Sequence, residues 1–279
     1  MKKLLLATAL ALTTTFTFAN TVDPFAEVKT LLQAKDDVGA FKALEKVSKL
    51  GHADAFYNLG YLTEIGKGTV QNNKKAIQYY EKAAKKGSSL ANFVLSKSYE
   101  TGRLGLNVNA KKAQTYLEAA DRLGSPDATI AIAEQLFAKK TPADEQLAYA
   151  KLAPLVKANH LPAIYSQATH SINIGVRSQN QEVIKKGLTD LHSLGQKGHV
   201  ASLMLLGNLY ASGSLLEQDL NKAKTIFTAL DQGNVPDAKP ALAIVNQAIA
   251  KQTKVEAPAV KPAVKTPTAS KTTTKTKKA

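Results

Sequence analysis

Residues 55–68 read AFYNLGYLTEIGKG and residues 75–87 read KAIQYYEKAAKKG; the phrasing returns as ANFVLSKSYETG at 91–102 and KAQTYLEAADRLG at 112–124. The Ala55 position recurs at Ala91, Ala128, Ala163 and Ser202, in steps of 36, 37, 35 and 39 residues. Five residues further along the copies stand Gly60, Ser96, Ala133, Ala168 and Gly207. Two columns restricted to small side chains mark a helix whose backbone lies close to its neighbours, since a bulky group there would hold the helices apart. The copies close on Gly51, Gly87, Gly124, Asn159, Gly198 and Gly233, and Gly and Asn tolerate the left-handed conformation that ends a helix. A fixed period of this size, with helical spacing inside it, predicts an all-α fold, an α-solenoid of stacked antiparallel helix pairs.

The pattern Ala-x-x-x-Leu-Gly, Gly-x-Gly and Lys-Ala-x-x-Tyr-Tyr-x-x-Ala-Ala-x-x-Gly within 55–87 resembles the Sel1-like repeat, a relative of the tetratricopeptide repeat. The resemblance implies stacked helix pairs that bind other proteins. It extends over units at about 53–87, 89–124, 126–159, 161–198 and 200–234, two thirds of the chain. The third unit lacks the turn glycines, and Pro154 is expected to kink its second helix or mark an early turn. The fourth is longer, and 175–181 is its expected loop. Ahead of the repeats, 23–51 reads as a capping pair. Asp23-Pro24 opens it, Phe25, Val28, Leu31 and Leu32 form one apolar face, and Gly39 is the expected break. Phe41, Leu44, Val47 and Leu50 then form a second face. Residues 237–252 read as a final helix covering the open end of the stack.

Residues 1–19 carry a basic start at Lys2 and Lys3, an apolar run from Leu4 to Phe18 and a small residue at Ala19. This reads as a secretory signal peptide, so the periplasm is the expected destination, with secretion as second choice. No cysteine follows it for lipid attachment. Residues 253–279 hold seven Lys, one Glu and three Pro with almost no apolar bulk, a composition that cannot bury enough surface to fold and reads as a disordered tail. The formal net charge of +15 falls to about +7 once both ends are set aside. The pairs Lys74-Lys75, Lys85-Lys86, Lys111-Lys112 and Lys185-Lys186 fall on second helices and read as solvated faces. Nucleic acid is disfavoured, since no aromatic-interleaved basic groove accompanies the charge. The tail suits a loose electrostatic contact with anionic envelope components.

The chain has no cysteine, which excludes disulfides, a thiol nucleophile and any thiolate metal site. Neither a G-x-S-x-G elbow nor an S-x-x-K pair is present. Residues 60–69 superficially resemble a phosphate loop, but the repeat turn accounts for their glycines. His52, His160 and His199 follow unit-closing residues, in the position of Ser88, Ser125 and Asn234, and read as polar helix caps. His170 and His192 complete the histidines, without metal-ligand spacing. Glu64 and Glu100 are equivalent residues of adjacent units, expected about 10 Å apart, wide for an acid–base pair. No enzyme activity, cofactor or metal is expected.

Two columns on the first helices are the candidate binding surface. Tyr57, Phe93, Ile130, Tyr165 and Met204 are uniformly large and apolar; Tyr61, Lys97, Glu134, Thr169 and Asn208, four residues on, change chemistry in every unit. By resemblance these line a concave groove, where a constant apolar strip gives affinity and a varying one gives register. Packing between helices is the competing account of the apolar column. The candidate partner-binding set is Tyr57, Tyr61, Glu64, Phe93, Lys97, Glu134, Tyr165, Met204 and Asn208. The reading is a monomeric scaffold or adaptor binding another protein, such as a periplasmic domain or peptide of an envelope-spanning complex of the secretion-system kind. The alternative is a peptidoglycan or envelope-polysaccharide binding or remodelling protein, including the β-lactam-related activity the resemblance suggests.

Overall fold

The computed structural model describes residues 23–256, so the expected signal peptide and nearly all of the expected tail lie outside the described residues. Among the described residues there are thirteen α-helices and no strand. A leading pair, α1 (Ala26–Gln33) and α2 (Asp37–Lys49), precedes the repeats. Repeats one to three are α3 (Ala53–Ile65) with α4 (Asn73–Lys85), α5 (Ser89–Thr101) with α6 (Ala110–Arg122), and α7 (Pro126–Ala138) with α8 (Pro142–Lys157). Repeats four and five are α9 (Leu161–Arg177) with α10 (Gln181–Gln196) and α11 (Val200–Ser212) with α12 (Leu220–Gln232); α13 (Ala238–Glu256) follows. The chain divides into two compact units, one ending at Ala163 and the other starting at Ile164.

One polar residue fixes the turn inside a repeat. The side chains of Asn72, Asn109 and Asp219 accept the backbone N–H of Lys75, Lys112 and Lys222, each at 2.9 Å, and so cap α4, α6 and α12. The N–H of each capping residue in turn donates to a carbonyl near the end of the first helix: Thr63 at 3.0 Å, Tyr99 at 2.8 Å and Tyr210 at 2.9 Å. Helix ends otherwise leave these groups unpaired. In the same three repeats the first helix ends on a left-handed glycine, Gly66, Gly102 or Gly213.

The small-residue column has a specific occupant opposite it. A Cβ placed on Gly60 would stand 2.8 Å from the ring of Tyr80, and one on Gly207 would stand 2.6 Å from the ring of Phe227. Tyr80 and Phe227 are buried and lie four residues after Ala76 and Ala223 on their second helices. Where that position holds Leu117, Leu152 or Leu191, the column holds Ser96, Ala133 or Ala168. The larger the side chain from the second helix, the smaller the residue it meets. Burying each such side chain contributes roughly 1.5–3 kcal/mol, so this contact carries much of a repeat's stability.

Several details depart from the sequence reading. The leading pair turns at Ala34–Asp36, with Lys35 left-handed, rather than at Gly39. Gly39 lies inside α2, its N–H donating to the capping carboxylate of Asp36 at 2.8 Å. Asp23 accepts the Phe25 N–H at 2.9 Å, but regular helix starts only at Ala26. The extra residues of repeat four lengthen both helices, to 17 and 16 residues, instead of opening a loop. Gly175 makes this possible: it is buried, and a Cβ there would meet Ile184 at 2.7 Å. Helix α8 continues past Pro154, which is exposed, to Lys157. The last repeat places its left-handed residue at Asn234, while Gly233 has a helix-like φ of −78°. Helix α13 runs to Glu256, beyond the expected end at 252, and packs against α12 and α11.

The first helices are capped by the residue after each unit close, though not at every histidine. Ser88 and Ser125 accept the N–H of Ala91 and Ala128, and His199 Nδ1 accepts that of Ser202 at 3.3 Å. His52 makes no such bond and packs edge-on against Phe25, with ring centroids 5.8 Å apart. The buried Nδ1 of His160 has no hydrogen-bond partner.

The first test concerns the pair contact. Gly207→Ala should destabilise by about 1–3 kcal/mol through overpacking. Gly207→Ala with Phe227→Leu, which recreates the Ala168/Leu191 combination, should cost less than the sum of the single changes. A double-mutant cycle from denaturant unfolding reads the difference. The second test concerns His199. Burial holds its imidazole below the usual 6.5, and only the neutral ring accepts at Nδ1. A group depressed in this way adds stability that is present above its unfolded-state pKa and lost as pH falls through its folded-state value. Stability should therefore decline as pH drops below 6.5, and His199→Ser, which installs the cap used at Ser88 and Ser125, should flatten that decline in paired denaturation series.

Candidate functional site

The residues between Phe25 and Leu32 reach across to α3 without covering it. Val28 is buried against Leu44, Ala55, Leu59 and Leu62, with Phe25 and Leu31 packed on the same cluster. Leu32, Tyr61 and Ile65 remain 42%, 48% and 46% exposed. Between these elements opens an apolar cavity of about 600 Å³, lined by Phe25, Leu32, Tyr57, Tyr61, Leu62 and Ile65, with Leu90 from α5. Four polar side chains join its lining: Lys29, Asp54, Asn58 and Lys67. Lys29 pairs with Asp23 at 2.7 Å and Lys67 with Asp37 at 3.2 Å.

A polar relay lies behind the aromatic wall. Glu64 Oε2 accepts the Tyr80 hydroxyl at 2.7 Å and the Arg103 guanidinium at 3.2 Å, joining α3, α4 and the 3₁₀ turn at Arg103–Gly105. Burial, with the hydrogen bond to Glu64 second, pushes the Tyr80 phenol far above its usual range. Tyr57 packs 5.8 Å from Tyr80, and burial, then the charges of Tyr61 and Glu64, raises its phenol too. The wall formed by Tyr57 therefore stays neutral, able to take apolar side chains and offering no nucleophile.

Of the predicted residues, the structure brings only Tyr57 and Tyr61 into this cavity. Glu64 is turned into the relay, its side chain 18% exposed. Phe93 is half-buried against Leu117, Ala120 and Ala128. Lys97 pairs with Glu100 at 2.6 Å and lies over the Phe93 ring. Glu134 is exposed on α7. In the second unit, Tyr165 packs against His199 with centroids 5.2 Å apart, Met204 packs on the cluster around Phe227 and Val245, and Asn208 is exposed. The apolar column is thus largely packing, except at Tyr57. Phe25, Leu32, Ile65 and Leu90 were missed as site residues. The available signal was the length of α1: eight residues cannot cover the thirteen of α3. Among the described residues, no three His, Asp or Glu side chains converge as a metal site would require.

The Sel1 repeat family matches residues 53–88, 89–125 and 200–227. These are the three repeats whose first helix ends on a left-handed glycine. A curated relative, chitin synthase regulatory factor 4 of Schizosaccharomyces pombe, is 32% identical over 94 residues, 33% of this chain; the match spans 15% of that protein's length. Among solved structures, a Sel1 repeat protein from Oxalobacter formigenes superposes with a TM-score of 0.61 at 19% identity, covering 81% of this chain and 98% of that one. A protective antigen of uropathogenic Escherichia coli strains with an SLR fold gives 0.49 at 19% identity, over 74% of this chain and 52% of that one. Sel1 repeats typically mediate protein–protein interaction. Residues 53–125 and 200–227 are thus matched as Sel1 repeats in register with the helix pairs, and the fold is shared with a solved Sel1 repeat protein.

Proposed function

We propose that this chain is a protein-binding scaffold whose receptor site is the apolar cavity between α1 and α3 in the first unit. The observation that carries the reading is that cavity: about 600 Å³ walled by exposed Leu32, Tyr61 and Ile65, with polar side chains alongside. An apolar anchor surrounded by polar groups is what a peptide segment uses to gain affinity and register. The partner is an extended or helical segment inserting one or two large apolar side chains, and the scaffold has no chemistry of its own. Glu64 and Glu100, the one carboxylate pair weighed for acid–base work, are engaged by Tyr80 with Arg103 and by Lys97. The basic start and apolar run of residues 1–19 support export, and in this reading the protein works in the periplasm as a monomer on an envelope-spanning complex.

Two experiments test these points. Tyr61→Ala with Ile65→Ser should remove the partner captured by cross-linking in the intact cell, and should weaken the purified pair by at least about 2 kcal/mol, since aromatic anchors dominate such interfaces. Asn208→Ala, in the other unit, should leave binding unchanged. An unaltered partner set for the Tyr61/Ile65 variant would sink the site. Fractionation of the tagged full chain should recover it with periplasmic contents, and recovery in the cytoplasm would refute the export reading.

A further inference from the structure

In the first unit the first helices of the repeats are mostly acidic and α4 is strongly basic, while α2 and α6 are mixed, carrying Asp37 and Glu45, and Glu118 and Asp121, beside their bases. The first helices α3, α5 and α7 carry Asp54, Glu64, Lys97, Glu100, Asp127 and Glu134, one base among six charges. The second helix α4 carries Lys74, Lys75, Lys82 and Lys85, with Lys86 as its C-cap, against Glu81 alone. Glu81 is half-buried: with Lys85 of the same helix it lines a recess shared with Asn92 and Tyr116, and it helps burial raise the Tyr116 phenol. None of the five lysines forms an ion pair. The same holds for Lys49 on α2 and for Lys111 and Lys112 on α6. The second unit behaves differently at the equivalent position, where Lys222 pairs with Asp219 at 3.3 Å.

The basic face is also held in place. Lys75 lies 5.6 Å and Lys82 5.9 Å from the Tyr79 ring, and they reach Phe41 and Phe56 at 6.0 Å. Their stems cover aromatic surface while the ammonium groups point out. Along the edge where the second helices end, the equivalent C-cap residues are Leu50, Lys86 and Leu123. Leu50 is 72% and Leu123 47% exposed. The ends of α2 and α4 are neighbours, since Lys86 Nζ stands 3.6 Å from where a Cβ on Gly51 would lie.

We propose that the outer face of α2, α4 and α6, with its Leu50–Lys86–Leu123 edge, docks on an anionic lipid bilayer. Unneutralised lysines so concentrated repel one another and demand an anionic counterpart. Lysines acting as point charges, with Arg122 the one arginine on α6, suit a diffuse charged plane rather than one defined phosphate or carboxylate. The exposed leucines decide between a membrane and a soluble polyanion: a bilayer interface takes them up, and an acidic polymer has no use for them. This surface is separate from the cavity between α1 and α3.

Vesicle co-sedimentation of the full chain tests the proposal. Binding should appear with phosphatidylcholine vesicles containing phosphatidylglycerol and be absent with phosphatidylcholine alone. Each lysine near an anionic surface contributes about a fivefold factor, so Lys82→Glu, Lys85→Glu and Lys86→Glu together should lower affinity by about a hundredfold or more. Leu50→Ser with Leu123→Ser should weaken it as well. Tyr61→Ala should leave vesicle binding intact, which separates this surface from the partner site. If the triple reversal loses helicity, the Lys→Gln set at the same positions should show a smaller loss in the same direction. Unchanged vesicle binding in either folded set would overturn the proposal and assign binding to the Lys-rich C-terminal segment. Equal affinity for polyglutamate, insensitive to the leucine changes, would replace the bilayer with an acidic polymer.

Discussion

The structure rests on one register kept along the chain: a large side chain of each repeat's second helix set in line with a small residue of the first. At Gly60 and Gly207 the fit is tight enough that a methyl group would collide with the rings of Tyr80 and Phe227. The reach of that side chain sets the distance between the paired helices. The Asn or Asp that caps the second helix and hydrogen-bonds back to the first sets their ends. With both fixed, the connecting residues have little else to specify, and sequence can drift between repeats while the period persists.

That division of labour explains what could be read from the sequence. The period, the small column and the closing residues are local and chemically restrictive, so the helix pairs were legible, including those of the two divergent repeats. Individual glycines were less so. Gly39, Gly175 and Gly233 look alike on paper, yet the first sits within a helix beside its capping carboxylate and the second is buried against Ile184. The third yields its left-handed role to Asn234. A glycine signals that a Cβ is unwelcome or that φ is positive, and only the neighbours decide which. The histidines show the same limit: one position holds a cap at His199, an edge-on aromatic contact at His52 and an unpartnered nitrogen at His160.

The lining of the cavity was half legible for a related reason. Repeat spacing places Tyr57, Phe93, Tyr165 and Met204 at one register position, but register does not report what lies above each residue. Phe93, Tyr165 and Met204 have packing partners over them. Tyr57 packs on Tyr80 on one side, but over the outer side of Tyr57 and Tyr61 lies the short α1, and a recess stays open there. The cavity thus arises where the repeat pattern is interrupted, at the leading pair, and a comparison among repeats could not single it out.

The same geometry gives the first unit two unlike faces. A helix pair buries the side chains between its members, leaving the outward face of the second helix free of packing duty. Residues there are restrained only by solubility and by what they meet. On α12 a neighbouring aspartate answers Lys222; on α4 nothing answers five lysines, although an acidic residue would fit at Gln78, which is exposed on the same helix. Packing tolerates that imbalance without requiring it. The proposed anionic surface would supply from outside the fold the charge that the protein does not carry there itself.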